Sequence, residues 1–454
     1  MKVMKFGGTS VGTVESLQHV KRIVESESEP VVVVVSALGG ITDRLIRTAD
    51  LACACDATWH DEFDYIVARH KAVADGLVPD ECRDEIWTAV SILLSELEGV
   101  YRGIELVNDV SPKVLDRVVS FGERMSSTLI SAIISDATLL YSPDFIRTER
   151  WYNKHIPVDE LTRSLILGRF MPMPSKVVIA PGFISGDRDT GALTNLGRGG
   201  SDYTAAIIAA ALDASILEIW TDVDGFMSAD PRVIPTAHVL PRLSFVESMD
   251  LCSFGAKVIY PPTIYPVFRK KIPIVIKNTF NSSAPGTFIS DEHCSCSLVF
   301  RGISSIKDVN LFSVSGESAP ALSNRIFTLL TKNGVEVLLA ARPATDESPV
   351  TFAIRDAEAA RAEEMLRKEF ESELATGELD PLVRRRGVAT VSVVGENLRD
   401  AEGVLERLGN TLMREGIDVF ASAPGPSGIT MTLVVDGGEV TRALKLLHAA
   451  YLEN

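Results

Sequence analysis

Apolar residues fall along this chain in short continuous runs bounded by turn residues. Val31 to Val35 is five valines in a row; Val177 to Ala180 and Ile216 to Trp220 are similar, and Ile272 to Ile276 is interrupted only by Pro273. Runs of this length without polar alternation read as strands buried on both faces, the habit of largely parallel sheets. Segments of helical period lie between them, among them Val14 to Glu25, Asp84 to Val107 and Tyr203 to Leu212. This alternation predicts an α/β fold, a three-layer sandwich with a largely parallel central sheet. Residues 43 to 130 read as mostly helical and would form an inserted lobe. The polar stretch Asn281 to Ser297 reads as a linker closing the first domain.

Beyond the linker the pattern repeats. Val309 to Glu317 matches Val388 to Glu396, and each is followed by a helical segment, Ala321 to Asn333 and Ala401 to Glu415. Gly334-Val335-Glu336-Val337 then matches Gly416-Ile417-Asp418-Val419. A further strand (Pro349 to Ile354; Gly428 to Val435) and helix (Ala357 to Glu371; Glu439 to Leu447) complete each copy. The order β-α-β-β-α is the ferredoxin-like pattern. The expected domains are residues 1–290, 298–380 and 386–454. A duplicated unit that pairs readily through its edges points to sensing or dimerisation, and it also admits a stabilising role without a ligand.

Composition narrows the picture. A chain of 454 residues exceeds one ordinary core, and 46% hydrophobic with 23% charged residues is globular. The net charge of −16 disfavours nucleic acid, so anionic ligands need locally concentrated cations. No run approaches a membrane span, and Met1 to Lys5 starts a strand instead of a signal peptide, so a cytoplasmic location is expected. The six cysteines include the close pairs Cys53/Cys55 and Cys294/Cys296, alongside Cys82 and Cys252. The first pair falls in a predicted helix, where residues two apart face different sides, and one intervening residue is too few for a usual zinc pair. Reduced thiols and no protein-held metal are expected.

The candidate chemistry sits where glycines join strands to helices. Leu196-Gly-Arg-Gly-Gly-Ser-Asp-Tyr-Thr-Ala205 follows the strand-like run Lys176 to Phe183 and leads into the helix Ala205 to Leu212. Such a joint lets backbone approach a ligand and offers free N–H groups to an anion, while Arg198 adds a planar fork for carboxylate or phosphate. A second loop, Lys5-Phe-Gly-Gly-Thr-Ser10, has the form of a phosphate cradle with a lysine to neutralise oxygens. Two anion sites are what phosphoryl transfer to an acid requires. Ser36 and Thr42 flank another glycine pair, and Thr42 is also a candidate N-cap. Glu123, placed before the helical run Met125 to Ile134, suits a helix dipole or a ligand ammonium. Asp222 and Arg232, after the strand ending at Trp220, are placed for a nucleotide or Mg²⁺, although Trp220 to Gly225 alone also reads as a tight hairpin. Lys257 follows Gly255 as another cation.

Together these residues resemble the aspartate kinases of the amino-acid kinase family. The likeness runs from Lys2-Val-Met-Lys-Phe-Gly-Gly-Thr-Ser10 through Phe254-Gly-Ala-Lys257 and Ala284-Pro-Gly-Thr287 into the repeats, which look like that family's two ACT modules. Gly302-Ile-Ser304, Leu311 to Gly316, Glu369-Phe-Glu371 and Leu379-Asp-Pro-Leu382 are most similar to the kinase part of fused aspartate kinase–homoserine dehydrogenases; no dehydrogenase is expected after Asn454. The resemblance implies an enzyme that phosphorylates a carboxyl group, converting ATP and L-aspartate into ADP and 4-phospho-L-aspartate on the way to lysine, threonine and methionine. It implies an ATP site of Lys5, Gly7, Gly8, Thr9, Ser10, Thr221, Asp222, Arg232, Lys257 and Val258. Ser36, Thr42, Glu123, Arg198 and Ser201 would hold aspartate, and Lys5, Arg198 and Asp202 would serve catalysis. Mg²⁺ would arrive with the nucleotide, lysine or threonine would be the effector at the ACT modules, and the chain would be at least a homodimer.

Some positions depart from the family pattern. Met227 stands where Tyr is frequent, and Tyr260 where His is frequent. The family's effector loop commonly reads Gln-x-Ser-Ser-Glu; here the stretch is Ala341-Arg-Pro-Ala-Thr-Asp-Glu-Ser348, and the second module has Ala423-Pro-Gly-Pro-Ser-Gly428. Weak or altered feedback is therefore expected, with the modules kept chiefly for dimerisation. Two rivals stay open: a related kinase acting on glutamate, acetylglutamate or a nucleotide, and a catalytically inactive amino-acid sensor. The cations named above count against the second.

Overall fold

The computed structural model describes residues 1–454 apart from 152–153, 293–298, 317–318, 342–344, 346–347 and 454. Cys294 and Cys296, and most of the Arg342–Glu347 effector stretch, lie outside the described residues. The chain divides into two compact units. The first comprises Met1–Phe226, Pro241–Leu243 and Ile259–Glu292; the second comprises Met227–Leu240, Ser244–Val258 and His293–Asn454.

The chain opens with β1 (Lys2–Phe6), α1 (Val14–Glu25) and β2 (Val31–Val35), followed by α2 (Ile41–Cys53), α3 (Trp59–Leu77), α4 (Asp80–Val107) and α5 (Pro112–Ile133). Then come β3 (Ala137–Leu139), β4 (Arg147–Trp151), β5 (Lys154–Pro157), α6 (Asp159–Phe170), β6 (Val177–Pro181), β7 (Ile184–Asp187) and β8 (Leu193–Asn195). Next are α7 (Gly200–Ala211), β9 (Ile216–Thr221), β10 (Arg242–Ser244), α8 (Phe245–Ser253), α9 (Tyr265–Lys270), β11 (Ile274–Asn278) and β12 (Thr287–Ser290). One sheet runs β10-β12-β11-β9-β1-β2-β6-β3, and a smaller one runs β5-β4-β7-β8. Its central strands are parallel, with Phe6 beside Val35 and Trp220 in register. All five valines of β2 are fully buried: Val31, Val33 and Val35 join the core beneath α1 and the helical lobe, and Val32 and Val34 therefore point to the opposite face. Helix α7 packs on β1, β2 and β9. The helical lobe 43–130 is α2 to α5, as its periodicity indicates.

Tertiary structure overrides several local readings. The polar stretch after Asn281 is not all linker, because β12 pairs antiparallel with β11 and buries Thr287 and Ile289. Thr42 is not an N-cap: α2 starts one residue earlier, and its cap is Gly40 in a left-handed conformation. Cys53 ends that helix and Cys55 lies beyond it in a left-handed turn, its thiol 2.7 Å from Asn108 Oδ1. Trp220 to Gly225 is no hairpin, since β9 lies between parallel neighbours β1 and β11.

In the second unit the repeats become β13 (Gly302–Val314), α10 (Ala319–Lys332), β14 (Val337–Ala341), β15 (Val350–Arg355) and α11 (Asp356–Glu369), then α12 (Glu371–Thr376). The second copy is β16 (Val383–Val394), α13 (Val404–Met413), β17 (Ala421–Pro424), β18 (Thr430–Asp436) and α14 (Val440–Tyr451). Each copy is β-α-β-β-α, and both share one antiparallel sheet, β14-β15-β13-β16-β18-β17. The second strand of each copy starts later than its sequence implies. Gly334 and Gly416 take left-handed φ of 70° and 73°, turning the chain out of the preceding helix before extension resumes. Among the described residues no helix is long and apolar enough to cross a membrane.

Candidate active site at the carboxyl ends of the parallel strands

The strand ends are aligned by backbone bonds that extend the sheet one residue past each strand. Gly182 N–H donates to Val35 O (2.8 Å), Ser36 N–H to Phe6 O (3.2 Å), Gly7 N–H to Trp220 O (3.1 Å) and Thr279 N–H to Thr221 O (2.8 Å). The loops after β6, β2, β1, β9 and β11 therefore stand side by side at the carboxyl edge, where parallel α/β sheets bind ligands.

Small residues let these loops touch. A Cβ on Gly39 would come 2.8 Å from Gly8 O, and one on Gly182 would come 2.6 Å from Ser201 Cβ. Ser10 is fully buried, and its hydroxyl lies 3.2 Å from Trp220 O and 2.7 Å from Thr279 Oγ1. It shapes the Gly7-Gly8-Thr9 loop from beneath, whereas Thr9 is exposed.

Lys5 is not a surface lysine at a turn. Its Nζ lies 2.7 Å from Asp202 Oδ1, with both side chains 12% exposed, and a Cβ on Gly7 would meet that Nζ at 3.4 Å. Asp202 is in the first turn of α7, which begins at Gly200, earlier than its sequence implies. The glycine loop before it follows β8 and not the strand at Lys176 to Phe183, because β7 and β8 intervene. Arg198 is exposed, with its guanidinium carbon 5.9 Å from the Tyr260 ring centroid. Gly199 is left-handed, and a Cβ there would come 2.6 Å from Tyr260 Cβ.

Glu123 is not at a helix start. It lies inside α5, 4% exposed, so a helix dipole does not explain it. Its Oε1 accepts the Ala37 N–H at 3.2 Å, and its Oε2 is buried with no partner among the described residues. Burial pushes its carboxyl up to about 8, against the opposing Ala37 hydrogen bond. Ser126, one turn on, donates to Ser36 O at 2.8 Å. Thus α5 holds the Ser36–Ala37 loop and presents a carboxylate with one open oxygen. Thr42 is half-buried in the first turn of α2.

Thr221 ends β9 and donates to Asp222 Oδ1 at 3.1 Å, while Asp222 is exposed. Arg232, Lys257 and Val258 belong to the second unit. Arg232 is exposed and doubly bonded to Asp230, at 3.0 and 2.8 Å, and Lys257 is exposed. In that unit Met227 bridges to Val239. Sequence reasoning did not find Gly182, Ser126 or Thr279; a glycine directly after a buried strand was the available signal for the first. Among the described residues no group of three or more His, Cys, Asp or Glu side chains converges as a metal centre.

The loops after β1 and β8 thus meet through a lysine–aspartate pair. The profile of the Amino acid kinase family matches residues 1–278, and that of the ACT domain matches residues 391–451. The chain belongs to the amino acid kinase family. Among curated members it is 31% identical over 467 residues to the bifunctional aspartokinase/homoserine dehydrogenase of Haemophilus influenzae, covering 100% of this chain and 57% of that protein. It is 28% identical over 481 residues to Aspartokinase 2, chloroplastic, of Arabidopsis thaliana, covering 99% of this chain and 84% of that one. The chain spans about half the length of the bifunctional relatives it matches. Among solved members of the family, E. coli aspartokinase III in complex with aspartate and ADP (R-state) superposes with TM-score 0.84 at 26% identity, covering 99% of both chains. The same enzyme in complex with lysine and aspartate (T-state) gives 0.77 at 27% identity, covering 100% of this chain and 99% of that one.

Proposed function

We propose that this chain is an aspartate kinase, transferring the γ-phosphoryl group of ATP to the side-chain carboxylate of L-aspartate to give 4-phospho-L-aspartate, the first step toward lysine, threonine and methionine. The observation that carries the reading is the Lys5–Asp202 pair, which joins the phosphate-type loop after β1 to the Arg198 loop at one carboxyl edge. The end-to-end likeness to a kinase solved with aspartate and ADP supports it.

The chemistry needs little beyond placement. A carboxylate is already ionised at neutral pH, so the nucleophile requires no general base. What it requires is that two anions be brought together and their charge neutralised as phosphoryl passes between them. Arg198 would fork onto the α-carboxylate. Glu123 Oε2 would accept from the α-ammonium, with Ser36, Thr42 and Ser201 around it. Gly7, Gly8 and Thr9 offer backbone to the phosphates, Ser10 shapes that loop, and Lys5, held by Asp202, would stand at the transferring oxygens. Thr221 and Asp222 would meet the nucleoside side; Arg232, Lys257 and Val258, in the second unit, are nucleotide-site candidates by resemblance alone. Mg²⁺ bound with the nucleotide would supply phosphate charge neutralisation, held largely by phosphate and water.

Residues 1–290 would carry catalysis, and 298–380 with 386–454 would sense and dimerise in the cytoplasm. We infer weak or altered feedback, because Ala341–Ser348 departs from the Gln-x-Ser-Ser-Glu pattern of the family's effector loop and Ala423–Gly428 keeps one polar side chain, Ser427. The test is aspartate-dependent ADP release with Mg·ATP, run with and without lysine or threonine. Turnover establishes the kinase, and its insensitivity to both amino acids supports altered feedback. No turnover from folded protein overturns the reading in favour of the related acids or the sensor.

A further inference from the structure

The loop that carries Arg198 is not fixed by burial. Its guanidinium is exposed, and left-handed glycines flank it, Gly197 at φ 72° and Gly199 at φ 70°. Its entry is fixed by one side chain. Asn195, the last residue of β8, accepts the Gly197 N–H on Oδ1 at 2.9 Å and donates from Nδ2 to Asp116 Oδ1 at 2.5 Å. The two bonds require the same amide orientation, since an N–H can only meet the oxygen and a carboxylate only the amino group. His155 Nε2 stands 3.8 Å from the other Asp116 oxygen.

Asp116 lies on α5 seven residues before Glu123, two turns along and so on the same helix face. One rigid helix therefore bears both the carboxylate with an open oxygen and the carboxylate that holds the Arg198 loop. We propose that Asp116 and Asn195 form a positioning pair that sets the distance between Arg198 and Glu123, and thereby sets the affinity for a substrate whose carboxylate and ammonium groups must both be met. The proposal rests on the aspartate kinase reading of that loop. Asp116 acts through Asn195 and touches no substrate.

The test uses the full chain and four forms: wild type, Asp116→Leu, Asn195→Asp, and the exchanged pair Asp116→Asn with Asn195→Asp. Hydrogen exchange at the Gly197 amide is read without ligands, and KM for aspartate and for ATP are read separately. In Asp116→Leu the Gly197 amide should exchange faster. Aspartate KM should rise roughly 10-fold or more, the scale of one hydrogen bond to a charged group, with kcat and ATP KM largely unchanged. Asn195→Asp sets two carboxylates against each other and should behave similarly. The exchanged pair should restore both readouts, because a carboxylate at 195 still accepts the Gly197 N–H and an amide at 116 supplies the missing donor.

An unchanged Gly197 exchange rate, a parallel rise in both KM values, or an exchanged pair as impaired as Asn195→Asp overturns the proposal. Should Asp116→Leu fold poorly, Asp116→Asn alone keeps the acceptor for Asn195 and should leave aspartate KM near wild type; a large rise there also overturns it. If wild type turns over no aspartate, the functional reading falls. The substrate part of the proposal falls with it, and the exchange rates decide the anchoring alone: faster in Asp116→Leu and restored in the exchanged pair upholds the pair's hold on the loop, and no change overturns it.

Discussion

Glu123 is where a single side chain says most about its ligand. A buried carboxyl with one oxygen bonded and the other open is stable only when protonated or when a cation arrives. Burial raises it from the ordinary value of 4.5 to about 8, so without ligand it is mostly neutral at pH 7. On the proposed role, a substrate ammonium needs the ionised form, so binding at pH 7 should release a proton. Aspartate KM should therefore fall as pH rises from 6 toward 8 and level off above, and calorimetry at pH 7 should show proton release that varies with buffer. In Glu123→Gln both effects should vanish while KM for ATP keeps its own profile. The stability sign is opposite. The raised value favours the folded ligand-free protein fully below about 4.5, and that contribution is lost as pH climbs through about 8. The Lys5–Asp202 pair gives a second residue-scale expectation. Lys5→Met should lower kcat roughly 10²- to 10³-fold, as removing a transition-state cation does. It should also cost on the order of 3 kcal/mol, because Asp202 is left unpaired in a mostly buried position. Adding Asp202→Asn should recover most of the melting temperature and none of the rate; recovery of both would assign the pair to folding alone.

Among elements, α5 does the most to position the site, and it was the least legible. Its existence is plain from periodicity, but a start at Met125 was expected where the helix is continuous from Pro112. Phe121-Gly122-Glu123 looks like a helix entrance because glycine disfavours helix interiors. Gly122 is tolerated there because α5 presses on the β2–α2 loop: an added Cβ would lie 2.7 Å from Ala37 Cβ and 3.3 Å from Leu45 Cδ1. Close packing of distant segments leaves no local period, so it could not be read from the chain. The same holds for Asn195 and Asp116, 79 residues apart and joined by one bond. By contrast β2, α1 and the doubled β-α-β-β-α units were legible, since burial on both faces and capping write themselves into short windows. Gly122→Ala should destabilise by about 1–3 kcal/mol, the usual cost of overpacking. It should also raise aspartate KM more than ATP KM, because it pushes the Ser36–Ala37 loop off Glu123. Denaturant midpoints read beside both KM values check this; a stability loss with neither KM moved would remove α5 from the substrate site.

At the scale of the molecule, the second unit is more than a pair of ferredoxin-like modules. It includes Met227–Leu240 and Ser244–Val258, which precede the modules in sequence and carry Arg232, Lys257 and Val258. Ala229 and Ile234 lie in one core with Leu408, Val435 and Leu444. Ser228 Oγ is 3.0 Å from His448 Nε2, and Glu247 accepts the Glu396 N–H at 3.3 Å. Asp250 on α8 accepts from Thr430 Oγ1 at 2.5 Å and from Ser427 Oγ, and burial raises its carboxyl above the ordinary range despite both bonds. Lys257 follows α8 by a short turn, so the second module fixes the helix from which that lysine departs. Loosening α8 should be felt as stability of the second unit. Thr430→Val removes a donor and leaves Asp250 short of a partner in a buried place. Denaturant unfolding should then show a loss of about 1–3 kcal/mol, the scale of a buried group left unsatisfied. Thr430→Ser keeps the hydroxyl and should restore most of it, which a packing defect alone would not do. No loss in Thr430→Val, or no rescue by serine, would mean that the bond to Asp250 does not hold α8 to the second module.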